Sequence, residues 1–140
     1  MPDETRATLS WQSGMRFVAR SLSGHEVTLD SVSRPGHLGP SPMELLLIGV
    51  AGCTAMDVVA ILGKMGERLS GLDVAITGHR AETNPKRYTA MHIAYRLKGE
   101  ALAPEKAQHA VELSISTYCG ALASLRPECR VTSSVEVVAP

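Results

Sequence analysis

The chain has 140 residues, 14 of them basic and 14 acidic, so its formal net charge is zero; 44% of the residues are hydrophobic and only 4% aromatic. This length allows one domain, residues 1–140, or at most two very small ones, with about two thirds of the unfolded surface buried. Charge balance argues against nucleic acid as the main partner, the apolar fraction excludes a disordered or collagen-like chain, and Trp11, Phe17, Tyr88, Tyr95 and Tyr118 are too few aromatics to form stacking platforms.

The N-terminal segment MPDETRATLSW is polar and mixed in charge, which is not the pattern of a signal peptide. ATLSW, MRFVAR and HEVTLD, within residues 5–33, carry β-branched and aromatic residues and are separated by the turn signals QSG and LSG, so they predict an antiparallel meander. SRPGHLGPSP (33–42) is a loop. Ser41-Pro42-Met43-Glu44 then predicts a helix start, with Ser41 as N-cap, Pro42 at the first helical position and Glu44 completing a capping box. That helix is predicted from about 42 to about 65. It is apolar nearly all round, so it is expected to be buried on several sides. Its run LLLIGVAGCTAM (45–56) falls short of the roughly 20 residues a membrane span needs. Gly49, Ala51, Gly52 and Ala55 predict the close approach of another backbone, since a mid-helix glycine otherwise costs about 1 kcal/mol.

Residues 72–82 and 88–100 predict two strands, the second alternating Met91, Ile93, Tyr95 and Leu97 against His92, Ala94, Arg96 and Lys98. Ala103-Pro104-Glu105 predicts a second helix with Ala107, Ala110, Val111, Ser114 and Ile115 on one face. Thr117–Gly120 interrupts it, ALASL forms a short third helix halted by Pro127, and residues 129–138 form a closing strand. The order βββ-α-ββ-α-α-β predicts an α+β fold with an antiparallel sheet and a central apolar helix.

Three cysteines, Cys53, Cys119 and Cys129, are too few for a secreted disulfide scaffold, and a cytoplasmic location is expected. No C-x2-C or H-x3-H pair occurs and the five histidines show no ligand spacing, so no metal and no cofactor are expected. A cysteine on an apolar helix, as Cys53 is, is by itself ordinarily a small buried hydrophobe. Cys119, just before a helix whose first N–H groups are free, has the setting that activates a thiol. Cys129 reads as a bystander. Asp57, one turn after Cys53, would raise the thiol pKa and argues against direct involvement unless it faces elsewhere. His37 and Tyr118 are candidates to line a pocket.

GPSPMELLLIGVAGCTAMDVVAIL (39–62) together with STYCGALASL (116–125) resembles the OsmC/Ohr family of thiol-dependent peroxidases, closest to its OsmC-like branch, and the element order agrees along nearly the whole chain. The resemblance implies an intertwined homodimer in which antiparallel sheets of both subunits wrap the long central helices. It also implies a peroxidatic Cys53 that attacks an organic hydroperoxide, or hydrogen peroxide, to give a sulfenic acid. A resolving Cys119 then closes a Cys53–Cys119 disulfide, and a dithiol of lipoyl or thioredoxin type reopens it. The family's glutamate-held arginine would place Glu44 at the OsmC-type glutamate position, where Ohr-type enzymes use the preceding residue, here Met43. Arg16 falls at the arginine position, with Arg34 as its rival. Two other readings stay open at this stage: a binding or structural protein of the same fold with inert cysteines, and a thiol redox sensor whose disulfide alters a partner surface.

Overall fold

The computed structural model describes residues 4–140; the first three residues of the polar N-terminal segment lie outside the described residues. The elements are β1 (Ala7–Ser13), β2 (Arg16–Ser21), β3 (Glu26–Leu29), α1 (Pro42–Lys64), β4 (Gly71–Arg80), β5 (Tyr88–Lys98), α2 (Pro104–Leu113), a π-helical turn (Ser114–Tyr118), α3 (Gly120–Leu125) and β6 (Arg130–Val138). The predicted α+β order holds, with the π-helical turn as an addition. The chain divides into two compact units, one ending at Leu46 and the other running from Leu47 to Pro140.

In the first unit, β1, β2 and β3 form the expected antiparallel meander. The β1–β2 turn requires a glycine. Gly14 has a φ of +54°, and the Arg34 guanidinium lies where any Cβ would stand. Trp11 Nε1–H donates to the Gly14 carbonyl at 2.8 Å and closes the turn. β1 buries none of its residues; Leu9 and Trp11 are 58% and 65% exposed. The loop after β3 is tied down by Asp30, the one buried acidic residue among the described residues. Its carboxylate accepts the Ser31 N–H at 2.8 Å, the Leu38 N–H at 3.1 Å and Arg16 Nε–H at 3.0 Å. The helix start follows the predicted capping box: Glu44 N–H donates to Ser41 Oγ at 3.1 Å, and Ser41 N–H donates to Glu44 Oε1 at 2.9 Å.

In the second unit, β4 and β5 pair antiparallel, from Gly71 opposite Lys98 to Arg80 opposite Tyr88. β6 pairs with β5 in parallel, Ala90 opposite Arg130 through Lys98 opposite Val138. This corrects the expectation of purely antiparallel sheets. The segment from β5 to β6 carries two helices and the π-helical turn, so it is a helical crossover that returns the chain in the same direction. The β5 alternation is as predicted: Met91, Ile93, Tyr95 and Leu97 are all buried, together with Ala107, Ala110 and Val111 of α2 and Leu122 of α3.

α1 buries a single stripe, Val50, Thr54, Val58 and Leu62, spaced one turn apart. Ile48, Gly49, Gly52, Met56, Val59 and Gly63 fall within about 100° of arc on the other side. Ile48, Met56 and Val59 are 57%, 75% and 52% exposed, and a Cβ placed at any of the three glycines meets nothing within 4 Å. The second backbone expected against these small residues therefore does not come from the described residues of this chain. The apolar run is also longer than residues 45–56 suggest. α1 is 23 residues long and its best 18-residue window has a mean hydropathy of 2.3, so by length and composition alone it is long and apolar enough to cross a membrane.

Burial pushes the Asp30 carboxyl up, but the Ser31 N–H, the Arg16 guanidinium and the Leu38 N–H outweigh it and hold it below the ordinary carboxylate value. A lowered folded-state pKa adds stability that is present above the unfolded value and lost as pH falls through the folded one. Asp30→Asn is therefore expected to lower the thermal midpoint at pH 7, with the gap to the native protein closing below about pH 4. Melting curves recorded from pH 7 to pH 3 check this; a gap that persists unchanged into acid would contradict it.

Candidate active site

Cys53 lies on α1 at the border between the buried stripe and the exposed face, and it is half-buried. Asp57 follows it by one turn on the same side of the helix. Cys119 arrives from the crossover. The π-helical turn ends with the Cys119 N–H donating to the Ser114 carbonyl at 2.8 Å, and Cys119 then takes an extended conformation (φ −73°, ψ 101°) as the N-cap of α3. This turns its side chain inward, and the residue is only 3% exposed. The Cys53 and Cys119 sulfurs and an Asp57 carboxylate oxygen all lie within 4.8 Å of one another. All three cysteines are free. Burial pushes the Cys119 thiol up, the Leu122 N–H pulls the other way, and its contact with Cys53 adds to the rise.

Behind the sulfurs runs a buried chain of hydroxyls. Tyr95 OH and Thr54 Oγ1 are 2.7 Å apart, Thr54 Oγ1 and Ser114 Oγ are 2.7 Å apart, and Ser114 Oγ donates to Asp57 Oδ2 at 2.9 Å. Each hydroxyl has one proton to give. Since Ser114 gives its proton to the acceptor-only carboxylate, it must accept from Thr54, and Thr54 must accept from Tyr95. All three hydroxyls thus point toward Asp57. The chain ties α1 to β5 and to the crossover, so it sets where Cys53, on α1, and Cys119, on the crossover, stand. Beside it an open, mostly apolar cleft of about 490 Å³ is walled by Asp57, Ala60, Ile61, Met65, Leu113 and Tyr118, together with Lys64.

The other predicted site residues belong to the first unit. Arg16 pairs with Asp30, its Nε 3.0 Å from the carboxylate, and also reaches the Gly36 carbonyl at 3.4 Å. Arg34 covers the Gly14 turn, and its carbonyl oxygen lies 3.0 Å from His37 Nδ1. Glu44 is held in the capping box. Among the described residues no ion pair joins Glu44 to either arginine; the acid that holds Arg16 is Asp30. Tyr118 lines the cleft, as expected, and Cys129 is buried outside the cysteine cluster.

The sequence model of the OsmC-like protein family matches residues 35–134, both cysteine segments included. The chain belongs to the OsmC-like family. The OsmC-like chain is 35% identical over 134 residues to Protein YhfA of Escherichia coli K12, covering 96% of this chain and 98% of that one. Among solved structures, a hypothetical protein from Aquifex aeolicus VF5 superposes with a TM-score of 0.86 at 28% identity, over 99% of both chains. The organic hydroperoxide resistance protein OhrB of Bacillus subtilis shares the fold, with a TM-score of 0.67 at 15% identity, over 96% of this chain and 98% of that one.

Within this OsmC-like chain, the sequence reading missed Thr54, Tyr95 and Ser114, and it set Asp57 aside. One signal was available: Thr54 and Asp57 are almost the only polar residues in the middle of α1, and a polar residue on a buried stripe needs a partner. The partner's identity depends on folding. Thr54→Val keeps the shape but removes the acceptor for Tyr95 and the donor for Ser114, so a loss of about 1–3 kcal/mol is expected in urea unfolding. Adding Tyr95→Phe is expected to cost less than the sum of the two single changes, because both break one network. Burial pushes the Tyr95 phenol up to about 12. Its contribution is therefore present below about pH 10 and lost as pH rises toward 12, and the stability of Tyr95→Phe is expected to fall less steeply over that range.

Proposed function

We propose that this protein is a cysteine-based peroxidase that reduces organic hydroperoxides. The observation that carries the reading is the pairing of an accessible sulfur with a buried one: Cys53 half-buried, Cys119 3% exposed, and the two within 4.8 Å. A hydroperoxide reaches Cys53 first. The Cys53 thiolate attacks the terminal peroxide oxygen, the O–O bond breaks, and the alkoxide takes a proton and leaves as alcohol. Cys53 is then a sulfenic acid. The Cys119 thiol displaces its hydroxyl, water leaves, and a Cys53–Cys119 disulfide forms. A dithiol reductant reopens the disulfide by exchange and is itself oxidised to a disulfide. The apolar cleft beside Asp57 favours an alkyl hydroperoxide over hydrogen peroxide. OhrB, which shares the fold, carries organic hydroperoxide resistance in its name. Arg16 or Arg34 is the cation that would steady the developing negative charge, with Glu44 as the family's partner acid; in this chain the acid at hand for Arg16 is Asp30.

The reading extends to assembly. The exposed face of α1, with its small residues open to solvent, and the uncovered β1 support a homodimer in which a second copy covers them. The family match runs across the boundary between the two compact units, which supports treating residues 1–140 as one functional domain. Three free cysteines fit a reducing, cytoplasmic setting.

In a steady-state assay of alkyl hydroperoxide with a dithiol, Cys53→Ser is expected to lower turnover at least a hundredfold, and Cys119→Ser to trap a sulfenic acid that a dimedone probe labels on Cys53. If Cys53→Ser turns over peroxide as the native protein does, the peroxidase reading fails and an inert fold takes its place. For assembly, sedimentation of the native protein is expected to give twice the chain mass of 14.9 kDa. Met56→Glu, which puts a charge on the exposed face, is expected to halve it.

A further inference from the structure

The peroxide cycle uses two of the three groups that converge beside α1 and leaves the third without a task. Asp57 holds a carboxylate oxygen within 4.8 Å of both sulfurs. Neither the attack on peroxide nor the closing of the disulfide calls on this carboxylate. The arrangement is nonetheless built. Ser114 donates to Asp57 Oδ2 at 2.9 Å, and Thr54 and Tyr95 stand behind Ser114, so every donor in this chain is aimed at keeping the carboxylate in place. The carboxylate's second oxygen carries none of these bonds.

Two cysteine sulfurs and a carboxylate oxygen are a donor set for a thiophilic divalent cation of the zinc type. At a tetrahedral ion, with Zn–S about 2.3 Å and Zn–O about 2.1 Å, the donor atoms stand roughly 3.5–3.8 Å apart. The observed spread of up to 4.8 Å closes to that by about an ångström of side-chain movement. A hydroxyl that fixes a ligating carboxylate is also what such sites have as outer support. Access is open on the Cys53 side and along the cleft that Asp57 walls.

We propose that the reduced protein binds one thiophilic divalent cation through Cys53 Sγ, Cys119 Sγ and the Asp57 carboxylate, with the fourth position open to water. On binding, the two thiol protons leave to solvent and both sulfurs ligate as thiolates. The divalent ion offsets the negative charge of its own three ligands. It also occupies the Cys53 lone pair that would attack a peroxide, while a Cys53–Cys119 disulfide would remove both sulfur ligands. Metal binding and disulfide formation are then mutually exclusive states of one site. No spacing motif announces it: two donors sit one turn apart on α1 and the third comes from the crossover, between the π-helical turn and α3.

The test uses the full-length protein, reduced with a phosphine, freed of reductant and treated with a chelator. Titration with Co²⁺ is expected to give a thiolate-to-cobalt charge-transfer band that saturates at one ion per chain and that Zn²⁺ removes by competition. Cys53→Ser and Cys119→Ser are expected to abolish the band. Asp57→Asn is expected to weaken binding at least 10–100-fold, the range seen when even outer-shell partners are lost. Cys129→Ser is expected to leave the band unchanged. Native protein alkylated at Cys53 serves as a second blocked form that needs no refolding, and it is expected to show no band. The proposal is overturned if reduced native protein gives no charge-transfer band, if the band survives Cys53→Ser or alkylation, or if Asp57→Asn binds as tightly as the native chain. None of these readouts involves peroxide turnover, so this proposal and the peroxidase reading stand or fall separately.

Discussion

The second unit depends on one buried hydrogen-bonded chain, from Tyr95 on β5 through Thr54 on α1 to Ser114 in the π-helical turn and Asp57 back on α1. A hydroxyl buried without a partner costs about 1–3 kcal/mol, so α1, β5 and the crossover are each held to one rotation and one depth by the need to complete the chain. Apolar packing of the buried Val50, Val58 and Leu62 would tolerate small slides along the helix; three short oxygen–oxygen contacts tolerate far less. The position of Cys53 relative to Cys119 follows from this, because each cysteine directly neighbours or closely follows a member of the chain. The chemistry sits at the end of a structural constraint.

α1 serves two environments with two faces. One turn-spaced stripe completes the core of the second unit. The opposite side, with Ile48, Met56 and Val59 exposed and three glycines carrying open space, has the composition of a core and the exposure of a surface. A helix with an 18-residue stretch of mean hydropathy 2.3 in such a state calls for cover. Glycine in mid-helix is costly unless something approaches closely, and a second copy of the chain is the cover proposed for this face. Cys53 lies at the border of the two faces, so the surface that covers α1 also decides what reaches the sulfur.

Much of this was legible in the residues because local rules suffice for it. Ser41, Pro42 and Glu44 announce a capping box through contacts that span three residues, and both of its hydrogen bonds are present. Met91, Ile93, Tyr95 and Leu97 announce a strand face through a period of two, and all four are buried. β6 was different. Its alternation identifies a strand but carries no direction; direction came from the helical crossover, and the sheet is mixed rather than antiparallel. The arginine partner was not legible either. Arg16 meets Asp30, which lies at the end of a neighbouring strand, because β2 and β3 pair in the register that brings those two side chains together.

The sequence by itself determined the family, the element order, the helix start and the two cysteine segments, since each is written in short stretches whose physics is local. Tertiary structure alone decided that Cys53 and Cys119 share one site, that Asp57 completes a three-donor cluster with them, and that three hydroxyls converge on that carboxylate. These facts join residues far apart in the chain. Their contacts arise only when helix, strand and crossover have found one packing, and no period or motif along the sequence encodes a distance across it.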